Sequence, residues 1–285
     1  MIRRILVGLG GFDTQNANYT ESATQMAIEL AQRHDARLSG VTVVNATVLN
    51  RVGPIPLGAG AAAADLREHR QEETRTRIDE AVSHFTHACK AAGVHAEVHR
   101  KSSDRPFDYL ISQARYHDVT LMGLRGLFEY GVCGEAHYDP ASSLVQLIEG
   151  GVRPLLATGP MPRRVERVMI AYSGSNHSAK TMRRFAQMQL WPDAMVRVVS
   201  LGPDREKQEG FIAHASNYLK DHGIEVEREY QPVDPKRGVL KLARDWNADL
   251  IVMGNSSRSL LSRRVLGDTM LETIRESDIP LFLAQ

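Results

Sequence analysis

A set of glycine, arginine and serine residues in the first half of the chain has the composition of an anion-binding site. Gly123, Arg125 and Gly126 follow an apolar run, and Ser142 and Ser143 begin a later helical pattern. Glycine lets backbone amides approach a phosphate closely, while arginine and hydroxyl side chains donate hydrogen bonds to it. The start of a helix adds the positive end of its dipole. These residues predict a site for a phosphate group or another small anion.

A second segment, near the end of the chain, repeats this pattern with changes. Gly254 follows an apolar run, Ser257 stands three residues later, and Gly267 precedes Asp268 and Thr269. The carboxylate of Asp268 would lie where a phosphate is expected, and like charges about 4 Å apart repel by on the order of a few kcal/mol. We therefore expect the first segment to bind an anion better than the second.

The two segments are equivalent because the chain contains an internal duplication. Glycine-rich turns after strands also occur without any ligand, so the glycines alone do not establish a site and their equivalence in the two halves is needed as evidence. Three segments of the first half recur in the same order in the second: 2–11 at 165–174, 118–123 at 249–254, and 142–159 at 268–285. The last pair aligns without a gap, because Pro154 lies eleven positions after Ser143 and Pro280 lies eleven positions after Thr269. Each half is a version of one ancestral unit.

Each half alternates strand-like and helix-like segments. Continuous apolar runs, such as 5–9 and 168–172, are typical of strands covered on both faces of a parallel sheet. The order βαβαβαβαβ occurs twice, which predicts an α/β fold with two tandem doubly wound five-stranded parallel sheets. In such sheets ligands bind beyond the carboxyl ends of the strands, where both segments lie. We expect two separate sheets, related by an approximate twofold axis, that associate through their final strands or neighbouring surfaces.

The duplication also predicts the domain boundaries. We place the first domain at residues 1–160 and the second at 164–285. The first has about 32 more residues than the second ahead of its glycine segment, and we assign most of them to a loop insertion near 47–64. A smaller insertion, near 131–139, lies beside the predicted site of the first domain.

Composition argues against several classes of function. The chain has 35 Lys and Arg against 34 Asp and Glu, a formal charge of +1, so no basic field favours a nucleic-acid partner. Cys89 and Cys133 form no metal-binding spacing and fit a reducing cytoplasm. No apolar run reaches the roughly 18 residues of a membrane span. We expect a cytoplasmic protein without a metal-binding motif and without a membrane or nucleic-acid partner.

These motifs resemble the universal stress protein family, in its tandem two-domain type, over essentially the whole chain. The family's nucleotide-binding pattern is Gly, two residues, Gly, nine residues, Gly, and then Ser or Thr. In the second half Gly254, Ser257, Gly267 and Asp268 fall on these four positions, followed by Thr269. The resemblance implies an adenine nucleotide alpha hydrolase-like fold and a site for ATP or another adenine nucleotide.

The first half follows the same family pattern more closely at its hydroxyl positions. Gly123 and Gly126 fall on the first two glycines, and Ser142 and Ser143 lie at the start of the helix that follows. By this resemblance the nucleotide-binding residues include Arg125, which stands between the two glycines.

One family feature is missing from both halves. The family places an acidic residue at the end of its first strand, on the adenosine side of the ligand, whereas this chain has Gly10 and Ser173 there. Asp13, in the loop that follows Gly10, is a candidate replacement. The resemblance thus implies adenine-nucleotide sites that are degenerate in both halves.

Three hypotheses of function remain open from the sequence. The leading hypothesis is a stress-response regulatory or binding protein that takes an adenine nucleotide or another small anion, chiefly in its first half. It would be an intramolecular pseudo-dimer, with a homodimer as a further option. The alternative is a protein-interaction scaffold with relic sites that binds a protein partner through the loop at 47–64. Slow nucleotide hydrolysis ranks third, because neither segment offers an obvious general base.

Overall fold

The computed structural model describes residues 2–10, 18–45, 49, 60–125, 140–152, 154–254 and 267–284. The first half runs β1 (Arg4–Gly8), α1 (Tyr19–His34), β2 (Arg37–Asn45), α2 (Gly60–Ala91), β3 (Ala96–Ser103), α3 (Pro106–Ala114), β4 (Val119–Gly123), α4 (Pro140–Glu149) and β5 (Leu155–Thr158). The second half runs β6 (Arg167–Ala171), α5 (Asn176–Met188), β7 (Met195–Leu201), α6 (Arg205–Asp221), β8 (Val226–Gln231), α7 (Pro235–Asp245), β9 (Leu250–Met253), α8 (Asp268–Glu276) and β10 (Leu281–Leu283). The predicted α/β alternation is confirmed in both halves.

Each half forms the predicted set of five parallel strands. The strand order is β3-β2-β1-β4-β5 in the first half and β10-β9-β6-β7-β8 in the second. The central strands are buried on both faces, which explains their continuous apolar runs. In both halves the strand order reverses between the first strand and the fourth, and this is where an open parallel sheet leaves a crevice at its carboxyl edge.

The two sets of strands form one continuous ten-stranded sheet, so the expectation of two separate sheets was wrong. Strands β5 and β10 pair antiparallel, with Leu156 opposite Phe282. The final strand of a parallel sheet has unpaired N–H and C=O groups along one edge, and pairing two such edges satisfies both. An antiparallel junction between two parallel sets is also what a twofold axis requires. The predicted association through the final strands is confirmed.

An aspartate fixes the start of the first strand in each half in the same way. Asp118 Oδ2 accepts hydrogen bonds from the backbone N–H groups of Arg3 and Arg4, at 2.7 and 3.0 Å. Asp249 Oδ2 does the same for the backbone N–H groups of Glu166 and Arg167, at 3.0 and 2.9 Å. Both aspartates stand directly before the fourth strand of their half. The duplication thus extends to individual side-chain contacts.

The halves differ where a large side chain has exchanged places with a small one. In the first half a Cβ atom on Gly40 would lie only 2.8 Å from the buried ring of Phe85. Strand register and the matching ends of α2 and α6 show that Val198 and Ala215 occupy these two places in the second half. In the first half the Phe85 ring of the helix fills this space, whereas in the second half Val198 of the strand and Ala215 of the helix fill it together.

Helix α2 is much longer than its counterpart. It has 32 residues, whereas α6 has 17, and the two helices end in equivalent glycine turns at Gly93 and Gly223. The additional 15 residues lie at the start of α2 and extend it by about 22 Å beyond the carboxyl edge of the sheet. Residues 60–64 of the predicted loop insertion are therefore helical, while most of 47–59 lies outside the described residues.

The end of helix α1 packs against the second half of the chain. The imidazole Nε2 of buried His34 lies 3.2 Å from the carbonyl oxygen of Leu190, so Nε2 carries the proton of this hydrogen bond. The indole of Trp191 donates to Glu29 at 3.2 Å. Burial lowers the pKa of His34, partly offset by the bond to the carbonyl. The neutral imidazole is thus part of the contact between the halves.

The exchange between helix and strand gives a first prediction. Gly40→Val should overpack the core and Phe85→Ala should leave a cavity, at costs of about 1–3 and 3–5 kcal/mol. The double variant recreates the pairing of the second half, so its cost should fall below the sum by at least about 1 kcal/mol. Urea unfolding of the four proteins measures this coupling. Gly40→Val combined with Leu147→Ala, in the distant α4, should be additive, and additivity in both pairs would contradict the exchange.

A second prediction concerns pH. Because the folded state lowers the pKa of His34, its contribution to stability is present above the unfolded value of 6.5 and is lost as the pH falls below it. His34→Gln keeps a donor for the Leu190 carbonyl but removes the titration, so the unfolding free energy should depend less on pH in the acid range. Exposed His214→Gln is the control. Equal pH slopes for wild type and His34→Gln would contradict the assignment.

Candidate functional site

The predicted site residues of the first half lie at the carboxyl edge of the sheet. Gly123 ends β4, and Arg125 follows two residues later. Ser142 and Ser143 lie in the first turn of α4, where Ser142 is exposed and Ser143 is buried. Gly126 lies outside the described residues, as do Asp13 and the insertion near 131–139. The hydroxyl side chains thus stand at the positive end of a ten-residue helix.

The first glycine of each segment is needed for packing within the fold. A Cβ atom on Gly123 would lie 2.6 Å from Tyr19 Cβ, and one on Gly254 would lie 2.5 Å from the backbone of His177 and Ser178. Each glycine therefore lets the first helix of its half rest on the end of the fourth strand. We attributed these glycines to the approach of a phosphate, but helix packing is sufficient to require them.

Arg125 contacts the second half of the chain. Its Nη2 atom donates a hydrogen bond of 2.6 Å to the carbonyl oxygen of Arg275, in the last turn of α8. The positive guanidinium thus meets the negative end of a helix dipole. Its Nε atom is buried and has no hydrogen-bond partner among the described residues. The side chain that the sequence assigned to an anion therefore links the two halves.

The site residues of the second half are arranged around the start of α8. Gly267 is the residue before the helix, Asp268 is exposed in its first turn, and Thr269 is half-buried. An acidic residue in the first turn stabilises a helix by about 0.3–1 kcal/mol through its dipole. Asp268 thus supplies the negative charge that a phosphate would otherwise bring. Ser257 lies outside the described residues.

Side chains of α6 fill the space at the carboxyl ends of β6 and β7. Gly174 has a positive φ of 70°, and a Cβ atom there would lie 2.5 Å from the ring of Phe211. A Cβ atom on Gly202 would lie 2.7 Å from Gln208 Nε2, and Ser200 donates to Gln208 Oε1 at 2.5 Å. The second half therefore closes this part of its crevice with its own side chains.

Helix α2 of the first half has no such ring at the equivalent position. Helices α2 and α6 end in the same way, with Val94 N bonded to Cys89 O and Ile224 N bonded to Leu219 O. Counting back twelve residues from the glycine of each turn leads to Ala81 in α2 and to Phe211 in α6. Because this count needs only the sequence, it is the signal that reveals the difference between Ala81 and Phe211, which the glycine segments alone do not show.

Three serine hydroxyls form a further cluster that sequence reasoning missed. Ser173, Ser175 and Ser178 lie within 3.3 Å of one another at the start of α5, and the Ser178 N–H donates to the Ser175 hydroxyl, which caps the helix. The spacing S-x-S-x-x-S before a helical pattern is the signal that indicates such a cap. These hydroxyls bond to one another at the place where the family's acidic residue was expected.

Other chemistries find little support in the described part of the chain. No group of three His, Cys, Asp or Glu side chains there is arranged to hold a metal ion. Burial raises the pKa of the Cys89 thiol to about 11, so this thiol stays protonated near neutral pH. Cys133 lies outside the described residues. None of the described helices is both long and apolar enough to cross a membrane.

Comparison with known sequences connects the second half to a family. Residues 164–285 match the model of the Universal stress protein family. A universal stress protein from Synechocystis sp. is 24% identical over 166 residues, which are 58% of this chain and 56% of that protein. The match therefore spans little more than half the length of that curated relative.

Solved structures extend the likeness to the whole chain. A universal stress protein from Archaeoglobus fulgidus DSM 4304 covers 100% of this chain and 96% of its own, with 17% identity and a TM-score of 0.60. At this identity the likeness shows a shared fold. A family member from Arabidopsis thaliana with AMP bound covers 41% of this chain and 90% of its own, with 14% identity and a TM-score of 0.34.

The packing role of Gly254, the counterpart of Gly123, can be tested without any ligand. Gly254→Ala should lower the free energy of unfolding by about 1–3 kcal/mol, because its methyl group meets rigid backbone. Gly210→Ala, inside α6 with nothing within 4 Å of the added methyl, should raise it by about 0.4–1 kcal/mol. Urea denaturation in nucleotide-free buffer measures both. A Gly254→Ala protein as stable as wild type would contradict the packing role.

Proposed function

We propose that this chain, a member of the universal stress protein family through its second half, is a binding protein for an adenine nucleotide or another small anion. The ligand binds at the carboxyl edge of the first half. The second half completes the sheet and supports the site from across the junction. The proposal assigns one functional site to the chain and a structural role to the other copy of the ancestral unit.

The observation that carries this proposal is the difference between Ala81 and Phe211. In the second half the Phe211 ring lies against Gly174 and occupies space at the end of β6, beside the crevice that an open parallel sheet offers to ligands. In the first half a methyl group stands in its place, so α2 itself places no ring there. Small cofactors and substrates need such a concave space.

The charges at the two helix starts also favour ligand binding in the first half. The first turn of α4 offers the hydroxyls of Ser142 and Ser143 together with the positive end of the helix. The first turn of α8 offers Asp268, whose charge opposes a phosphate, although Thr269 keeps one hydroxyl. The repulsion grows with the number of phosphates, so ATP is disfavoured in the second half more than AMP or adenosine.

Arg125 has a positioning role in this proposal. Its bond to the Arg275 carbonyl holds the end of β4 next to α8, and the chain continues from Arg125 to the helix that carries the serines. A guanidinium that already bonds to a carbonyl would contact a phosphate only through its remaining N–H groups. Gly123, Gly126, Ser142 and Ser143 are then the residues that we assign to the ligand itself, with Gly254, Ser257, Gly267 and Thr269 as their counterparts in the second half.

A protein-interaction scaffold remains the second candidate, and the length of α2 favours it. Most residues from 60 to 73 are exposed, and Leu66 is 41% exposed on this projecting part of the helix. A helix that extends beyond its own domain presents side chains that a protein partner can contact. In this case the sites are relics, and the wild-type protein binds no adenine nucleotide.

The proposal predicts that an aromatic ring at position 81 blocks the site. Ala81→Phe copies the second half and should weaken binding of AMP and ATP at least about tenfold, measured by isothermal titration calorimetry on the full chain. Ser83→Phe is the control, because it adds the same ring at an exposed position on the same helix. Equal affinities for Ala81→Phe and wild type would contradict the site, and a wild type without nucleotide binding would support the scaffold.

A further inference from the structure

A cavity of about 420 Å³ lies between helix α7 and the outer strands β7 and β8. Its apolar lining comes from Val233, Leu242 and Trp246, and Val233 is 41% exposed. None of its lining residues belongs to α4, to α8 or to the ends of β4 and β9, so the cavity is separate from the candidate nucleotide site. Its volume is in the range of small-molecule sites, which is about 300–1,000 Å³.

A guanidinium that lies over an indole ring forms one wall of this cavity. The Arg197 guanidinium lies 4.4 Å from the centroid of a Trp246 ring. Glu227 accepts hydrogen bonds from Arg197 Nε and Nη2, and Glu229 accepts one from Nη1 at 2.7 Å. The carboxylates hold the edges of the guanidinium, so its plane is fixed against the indole before any ligand arrives. A flat, preorganised wall of this kind suits a flat ligand.

The charges around the cavity leave one positive group uncompensated. Lys241 is paired with Asp245 at 2.5 Å, and the carboxylate of Glu229 is paired with Arg197. Arg237 also lines the cavity, and its guanidinium makes no hydrogen bond or ion pair with the described residues. A ligand with a single negative charge would therefore find one partner at this cavity, whereas a second negative charge would find none.

The duplication shows that the fold does not need this arrangement. Strand register places Ser39 where the second half has Arg197, and the count back from the aspartate before the fourth strand places Arg115 where it has Trp246. The first half thus folds in the same way without the stacked pair. The shared fold therefore does not explain why the second half has this pair.

We propose that this cavity binds a planar aromatic molecule that carries one carboxylate or sulfonate group. The aromatic ring packs against Trp246, Leu242 and Val233, and it extends the stack that Arg197 begins. The anionic group forms a charge-assisted hydrogen bond with Arg237. The chain then has a second small-molecule site, in the half whose nucleotide site is closed.

The test is isothermal titration calorimetry of the full chain with naphthalene carboxylate as the probe and naphthalene methanol as its uncharged analogue. Wild type should bind the carboxylate more tightly. Arg237→Gln should weaken the carboxylate about tenfold, the size of one charge-assisted bond, and leave the alcohol unchanged. Arg228→Gln, which changes an exposed arginine on β8 that does not line the cavity, should change neither.

A further variant separates the contribution of the aromatic wall from that of the charged group. Trp246→Leu should weaken both probes, because it removes the aromatic wall that they share. If this variant does not fold, the comparison of Arg237→Gln with Arg228→Gln decides alone, since both residues are exposed. The proposal is overturned if wild type binds neither probe at millimolar concentration. It is also overturned if Arg237→Gln and Arg228→Gln weaken the carboxylate equally.

Discussion

The antiparallel pairing of β5 with β10 is the interaction on which the rest of the structure depends. Leu155, Leu156 and Leu281–Leu283 are almost completely buried there, so backbone pairing and apolar burial act at the same place. The pairing converts two open edges into the centre of a ten-stranded sheet. The junction also brings two further contacts together. The end of α1 packs against the turn after α5, and Arg125 bonds to the end of α8.

The two halves share one fold although several of their core side chains differ in size. Phe85 with Gly40 fills a volume that Ala215 with Val198 fills in the other half. At the carboxyl edge the halves differ again, because Phe211 stands in α6 where α2 has Ala81. We propose that this difference decides which copy keeps a ligand site.

The sequence predicted the fold because its signals are local and repeated. Apolar runs, helix periods and a gapless duplication define the elements without any long-range information. The continuous sheet and the bond of Arg125 to a carbonyl 150 residues away depend on how the copies meet, which no local period encodes. The close packing of Tyr19 on Gly123 is a role for this glycine that local sequence patterns did not predict.

The central claim is that one copy binds and the other supports it, and the number of ligands on each chain tests this most directly. Native mass spectrometry of the intact protein, titrated with AMP and with ATP, counts bound nucleotides on each chain without reference to any variant. The account predicts that binding saturates at one nucleotide for each chain. Saturation at two would show that Phe211 and Asp268 do not close the second half, and no binding at saturating nucleotide would contradict a live site in the first.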